Sequence, residues 1–143
     1  MFGLDTNYYD DDCTFLPNRD DIPNINKDIR DINEKDLDGF EAIIHLAALS
    51  NDPLSNLRTE WTYDINHKAS VQLATLGKMA GVKRFIFSSS CSMHGSVDGG
   101  KVYETTPVKP LTPYGESKIM AETDISALAD ANFSPTFLRN GTV

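Results

Sequence analysis

A parallel α/β sheet with right-handed crossovers is the architecture that this 143-residue sequence predicts. Three observations carry it. The near-continuous apolar runs EAIIHLAA (41–48) and VKRFIFSSS (82–90) read as strands buried on both faces, as in parallel sheets. Between them, Trp61, Ile65, Ala69, Leu73, Leu76 and Ala80 recur at helical spacings of three and four. Strand and helix patterns then alternate to the end of the chain.

Taken in order, MFGLD (1–5) reads as the last part of a buried strand. Residues 6–23 are polar, with Pro17 and Pro23, and read as a loop. NINKDI (24–29) is a short strand, and DINEKDLDGF offers Asp31 and Glu34 as a capping box for a short helix closing at Gly39. The helical pattern runs from Asp52 to Ala80, with Pro53 suited to the first turn of a short preceding helix and Gly81 ending the long one. Pro113 opens another helix, PYGESKIMAETDISALADA (113–131), and SPTFLRNGTV (134–143) closes the chain as a strand.

Composition narrows the function classes. The chain is 40% hydrophobic and 24% charged, ordinary for a globular domain, and one domain spanning 1–143 fits its length. The net charge of -8 repels phosphate backbones, so nucleic acid is not an expected partner. No apolar run approaches the roughly 20 residues of a membrane span, and the opening residues resemble no secretion signal. Cys13 and Cys91 can pair in principle, but two cysteines in a non-secreted chain read as free thiols, and the cytoplasm is the default location.

Ligands of open parallel sheets bind at the carboxyl ends of the strands. The polar clusters of this chain sit at those ends: Asp5 after the first strand, Ala47 to Asn51 after the third, Ser88 to Gly95 after the fourth. Downstream, Tyr114 and Lys118 are four apart at a helix start and share a face. A phenol with a pKa of about 10 is a poor base at neutral pH. A neighbouring ammonium favours the phenolate, which makes the pair usable in acid/base chemistry. The spacing alone also suits an ordinary exposed helix turn.

In combination, a strand ending in SSS, a loop over 91–112 and then PYGESK resemble the extended short-chain dehydrogenase/reductase superfamily, specifically its NAD-dependent nucleotide-sugar epimerase/dehydratase family. GLD, KDIRD, HLAA, YDINHKAS, FIFSSSCSMHG and LRNGTV resemble that family's motifs in the family's own order. The resemblance implies a Rossmann-like doubly wound parallel sheet. It implies Ser90 as the hydroxyl that bonds the reacting oxygen, Tyr114 as acid/base, and Lys118 as the holder of the nicotinamide ribose. It further implies an NAD site formed by Asp5, Asp28, Ile29, Leu46, Ala47, Ala48, Ser88, Tyr114 and Lys118. Asp5 would receive ribose hydroxyls and repel a 2′-phosphate, Asp28 and Ile29 would line the adenine pocket, and the small Ala47 and Ala48 would let the cofactor pass close to the backbone. Ser50, Asn51, Ser90, Cys91, Ser92, His94 and Asn140 fall on the substrate side, and no metal is implied.

Other readings of single residues stand beside these. Asp5 also suits a loop cap, Asn66 a bridge between backbone groups of helix and strand, and His45 a satisfied interior imidazole. Cys91 suits a small apolar filler. Trp61 suits the core or a subunit interface.

Three departures from the family pattern bear on function. The glycine-rich strand–turn–helix that cradles pyrophosphate does not occur in this sequence, so the chain reads as lacking it, with weak or no NAD binding by residues 1–143 alone. The C-terminal substrate region is also not found after LRNGTV, and His94 stands where the family commonly shows Tyr. Family dehydratases place Asp-Glu directly after the catalytic hydroxyl, whereas Cys91 and Ser92 stand there, which disfavours elimination of water. The resemblance then implies an epimerase or simple oxidoreductase on a nucleotide sugar, and a homodimer through helices 58–80 and 113–131. The alternatives are a non-catalytic NAD(P)-binding, redox-sensing module and an inactive fragment of such an enzyme.

Overall fold

The structure, a computed structural model, describes residues 1–8, 22–50, 52–96 and 100–141. Cys13 with its pairing, Pro17, most of the 6–23 loop, Asn51 and the last two residues of the closing strand lie outside the described residues.

Two parallel sheets form. β1 (Gly3–Asp5) pairs with β2 (Asn24–Asn26), and β3 (Ala42–His45), β4 (Arg84–Ser90) and β5 (Ser134–Asn140) form a second sheet in that order. Among the described residues, no ladder joins β1 to β3. β4 is central because it is paired on both edges.

The helical segments depart in detail from the sequence pattern. α1 (Asp52–Leu57) ends at Arg58, whose φ of -144° and ψ of 82° break the helix. α2 (Thr59–Thr62) then runs through a π-helical turn (Tyr63–Ala69) into α3 (Ser70–Met79), and Gly81 at φ 84° reverses the chain. A π-turn inserts a residue and shifts the phase of the face. Trp61, placed on the apolar stripe by α-helical spacing, therefore turns out to 51% exposure, with the Arg58 guanidinium over its ring at 5.0 Å. Past the turn, Ala69 and Leu73 are buried as the spacing predicts.

α4 (Pro113–Ser126) starts at Thr112, whose Oγ1 accepts the Gly115 N–H, and stops five residues short of the expected end. The reason is Asp130: its carboxylate accepts the N–H groups of Asn132 and Phe133 and pairs with Lys78, fixing a turn before β5. The helix expected after residue 31 is a 3₁₀ turn, Glu34–Leu37. Its cap is Asn33, not Asp31. Asn33 Oδ1 accepts the Lys35 N–H and Asp36 Oδ2 accepts the Asn33 N–H, because Asp31 belongs to the preceding 3₁₀ turn, Ile29–Asp31.

α3 and α4 cover one face of the β3–β4–β5 sheet. There Phe85, Phe87, Phe133, Leu73, Ala74, Ala121 and Ile125 are buried, with Phe85 and Phe133 ring centroids 6.1 Å apart. Ile29, Ile32 and Leu37 join this core from the 3₁₀ turns, and Leu4 of β1 packs on it. The opposite face is open. Ile44 and Leu46 are 63% and 70% exposed and Leu138 is 47% exposed, so the expected burial of β3 on both faces does not hold here, and its strand stops at His45.

Phe85, with none of its surface exposed, sets the energetic scale of this core. We expect Phe85→Ala to cost about 3–5 kcal/mol in urea unfolding, a large part of the stability of a small domain.

Candidate active site

The polar strand ends converge through three close approaches. First, β4 runs directly into a 3₁₀ turn, Cys91–His94, capped by Ser90: its Oγ accepts the Ser92 N–H at 3.2 Å and donates to Ser92 Oγ at 3.1 Å. Second, the start of α4 lies over that turn. A Cβ added at Gly115 would sit 3.1 Å from the Ser92 carbonyl oxygen, so glycine permits the approach that brings Tyr114 to the end of β4. Third, Gly95 holds φ 65°, and a Cβ there would fall 2.2 Å from the Lys109 carbonyl oxygen. This lets the 100–112 segment fold back, with Lys109 N–H bonded to the Met93 carbonyl.

Lys118 is the most constrained charge in the site. It is 3% exposed, its ammonium donates to the Ser88 carbonyl at 2.8 Å, and it lies 4.6 Å above the Phe87 ring and 5.7 Å from the Tyr114 ring centroid. Burial pushes its pKa down to about 8, which leaves it mostly cationic at neutral pH. Tyr114 is half-buried beside it.

Asn66 closes the back of the site. Its Oδ1 accepts the Leu49 N–H at 2.8 Å, and its Nδ2 donates to the Leu49 carbonyl at 3.0 Å and toward Ser117 Oγ at 3.4 Å. Ser117 Oγ in turn donates to the Tyr114 carbonyl at 2.8 Å. The segment after β3 is thereby tied to the first turn of α4. Asn66 bridges backbone groups, as the sequence suggested. Behind it, the buried His45 imidazole sits against Phe85 and Phe87, with Nε2 2.8 Å from Ser70 Oγ. Burial and the nearby Lys118 charge lower its pKa to about 3, so it is neutral.

The structure distributes the sequence-predicted residues as follows. Ser90, Cys91, Ser92, Tyr114 and Lys118 gather around the end of β4, and Asn140 joins them from β5, its amide donating to Ser88 Oγ at 3.0 Å. Leu46, Ala47 and Ser50 are exposed on the segment after β3, and Ala48 is half-buried. Asp5 is exposed at the end of β1, with Oδ1 accepting the Asn7 N–H. Asp28 caps the Ile29–Asp31 turn and is held by a two-bond pair to Arg30, which keeps its carboxyl below the usual range. The Ile29 side chain is in the core. His94 is buried, with Nδ1 3.4 Å from the Pro107 carbonyl, so its imidazole meets the folded-back segment. Among the described residues, no group of three His, Cys, Asp or Glu is placed to hold a metal.

Ser70, Ser117 and Gly115 were not singled out by sequence. Thr112-Pro113 is a legible helix start, which places Gly115 in the first turn. Serines 70 and 117 lie inside the stretches YDINHKAS and PYGESK, but the sequence assigns no role to either.

The family model of the NAD dependent epimerase/dehydratase family matches residues 12–143. The chain belongs to that family. The UDP-glucose 4-epimerase of Streptococcus mutans is 39% identical over 83 residues, covering 58% of this chain and 25% of that protein. Among solved structures, the UDP-N-acetylglucosamine 4-epimerase of Methanobrevibacter ruminantium superposes with a TM-score of 0.84 at 25% identity, over 96% of this chain and 46% of that one. MoeE5 in complex with UDP-glucose and NAD gives 0.77 at 28%, over 95% and 43%. The chain thus spans a quarter of the curated relative and under half of the solved structures. A parallel-stranded Rossmann-like fold is common to them. Among the described residues, no helix is long and apolar enough to cross a membrane.

His45 gives the site a pH signature. An unfolded imidazole takes its proton near pH 6.5, while the folded one does so only near about 3. Between those values the unfolded state binds the extra proton, so stability falls as pH drops through the window. Unfolding free energies from urea titrations at pH 7, 6 and 5 should decline by up to about 1.4 kcal/mol per pH unit. His45→Gln should flatten that slope, since the lowered carboxylates of Asp28, Asp36 and Asp130 act at lower pH.

Proposed function

We propose that the protein carrying this chain is an NAD-dependent epimerase that inverts a carbinol centre of a nucleotide sugar through transient oxidation. The observation that carries the reading is the Lys118 ammonium, buried and held between the Ser88 carbonyl and the Tyr114 ring. A buried cation beside a phenol stabilises negative charge that develops on the phenol oxygen. The epimerase names of the relatives point the same way.

The residues fit a dinucleotide on two grounds. The segment after β3 is uncovered and carries the small Ala47 and Ala48, which allow a ligand to approach the backbone. Asp5 offers an exposed carboxylate at the end of β1. Asp5 would hold the adenosine ribose, Ala47 and Ala48 would flank the cofactor, Ser88 would stand beside its reactive end, and Lys118 would hold the nicotinamide ribose. Asp28, already paired with Arg30, would meet the adenine with its edge. When bound, NAD supplies the hydride acceptor and donor.

The chain's own residues handle the proton. Tyr114 removes it from the substrate hydroxyl as the carbinol is oxidised and returns it on reduction. Ser90 caps the turn at the same end of β4, with its one hydroxyl proton on Ser92 Oγ, and would turn that proton to the substrate oxygen when substrate is bound. Cys91 and Ser92 are not carboxylates, so no acid/base pair follows Ser90 to move protons at neighbouring carbons. Epimerisation rather than water elimination is the matching outcome.

A homodimer through α2–α3 and α4 is part of the proposal. These helices share an open groove of about 420 Å³ lined by Val71, Thr75 and Leu76, with His67 and Asp124 paired at 2.6 Å on its rim. A cytoplasmic location suits the thiol of Cys91, which is free among the described residues.

In the enzyme carrying this chain, Tyr114→Phe should lower kcat about 10²–10⁴-fold with little change in KM. Interconversion of UDP-glucose and UDP-galactose, followed as product ratio, measures it. A Tyr114→Phe enzyme with undiminished turnover overturns the reading.

A further inference from the structure

We propose that His45 and Ser70 form a positioning unit, a buried strut from β3 that holds the π-helical turn in the phase at which Asn66 clamps Leu49 and braces α4. The purpose rests on the reading above, since the clamped segments carry Ala47, Ala48 and Tyr114. The coupling itself does not depend on turnover.

Proton counting gives the strut a direction. Ser70 has one hydroxyl proton, and it goes to the Asn66 carbonyl at 2.8 Å. The contact from His45 Nε2 to Ser70 Oγ at 2.8 Å must therefore be donated by the imidazole, which fixes the Nε2–H form. The Ser70 backbone N–H is bonded to the His67 carbonyl, so the Asn66 carbonyl does not receive it and takes the hydroxyl instead. A π-turn disturbs the helical ladder at this place, and the Ser70 hydroxyl adds a side-chain bond to the Asn66 carbonyl there.

The location excludes simple filling. Ser70 and Asn66 have no exposed surface and His45 has 4%, so water does not substitute for any member. The Asn66 carboxamide uses its oxygen and both protons on Leu49 and Ser117. Its side chain is held in place at the backbone end by Ser70, and Ser70 is held by His45. A rotation of the turn would break the Leu49 pair first, since that pair needs both atoms of one amide in register.

Nuclear magnetic resonance on the 143-residue chain tests this with His45→Leu, Ser70→Ala and His45→Gln. In the parent, the His45 ring should show a protonated Nε2 and a bare Nδ1. His45→Leu and Ser70→Ala should speed exchange of the Leu49 amide about tenfold or more relative to the β4 amides. His45→Gln, whose amide N–H reaches the Nε2 position, should keep Leu49 within about threefold of the parent. Unchanged Leu49 exchange in the first two variants overturns the proposal. So does loss shared equally with β4, or a Gln variant no better than Leu. Failure of the enzyme reading would appear instead in Tyr114→Phe turnover, which none of these exchange rates reports.

Discussion

One charge-assisted hydrogen bond, from the Lys118 ammonium to the Ser88 carbonyl, organises the functional end of this molecule. A buried cation is costly unless it finds a partner and a polarisable surround. Here a strand carbonyl supplies the first and the Phe87 face the second. Because the acceptor is main chain, the bond ties α4 to β4 without regard to the Ser88 side chain, and that leaves Ser88 Oγ free to receive Asn140 from β5. Gly115 allows the helix to come close enough for this bond, and Thr112 fixes where the helix begins. Tyr114 lies between the two and inherits its position from both.

A second layer of polar groups carries this order away from the strand ends. Asn66 reaches the main chain of Leu49 on one side and Ser117 on the other, so the segment after β3 and the first turn of α4 share one side chain. Arg139 does the same job on the far side, bonding Glu122 of α4 through two nitrogens and the Glu104 carbonyl of the folded-back segment. These contacts are partly shielded, and a guanidinium fork on a carboxylate fixes orientation as well as distance.

Much of this was legible in the residues. The β4 run, the Tyr114–Lys118 spacing and the Thr112-Pro113 start are local signals, and each stands where its pattern places it. Trp61 stays out of the core because a 3.6-residue period assumes an unbroken α-helix, and nothing in YDINHKA announces an inserted residue. Ile44 and Leu46 misled for a different reason. Their apolar character reports a face suited to burial, and whether a neighbour covers it is a tertiary fact that β3 alone does not encode. Asp31 and Asn33 both make acceptable caps with a carboxylate three residues on, and the choice fell to Asn33 because Asp31 is taken up by the preceding 3₁₀ turn. His45 was read as a satisfied interior group. Its direction of donation needed the position of Ser70, twenty-five positions away in sequence, to be decided.

The Asn66 amide shows what kind of change this architecture resists. Aspartate matches asparagine almost atom for atom in volume, yet it would set an oxygen against the Leu49 carbonyl and remove the two protons that hold Leu49 and Ser117. A substitution that alters no packing would therefore turn an attraction into a repulsion at the one side chain shared by both walls of the site. At this position, the identity of a single atom carries more information than the shape of the residue.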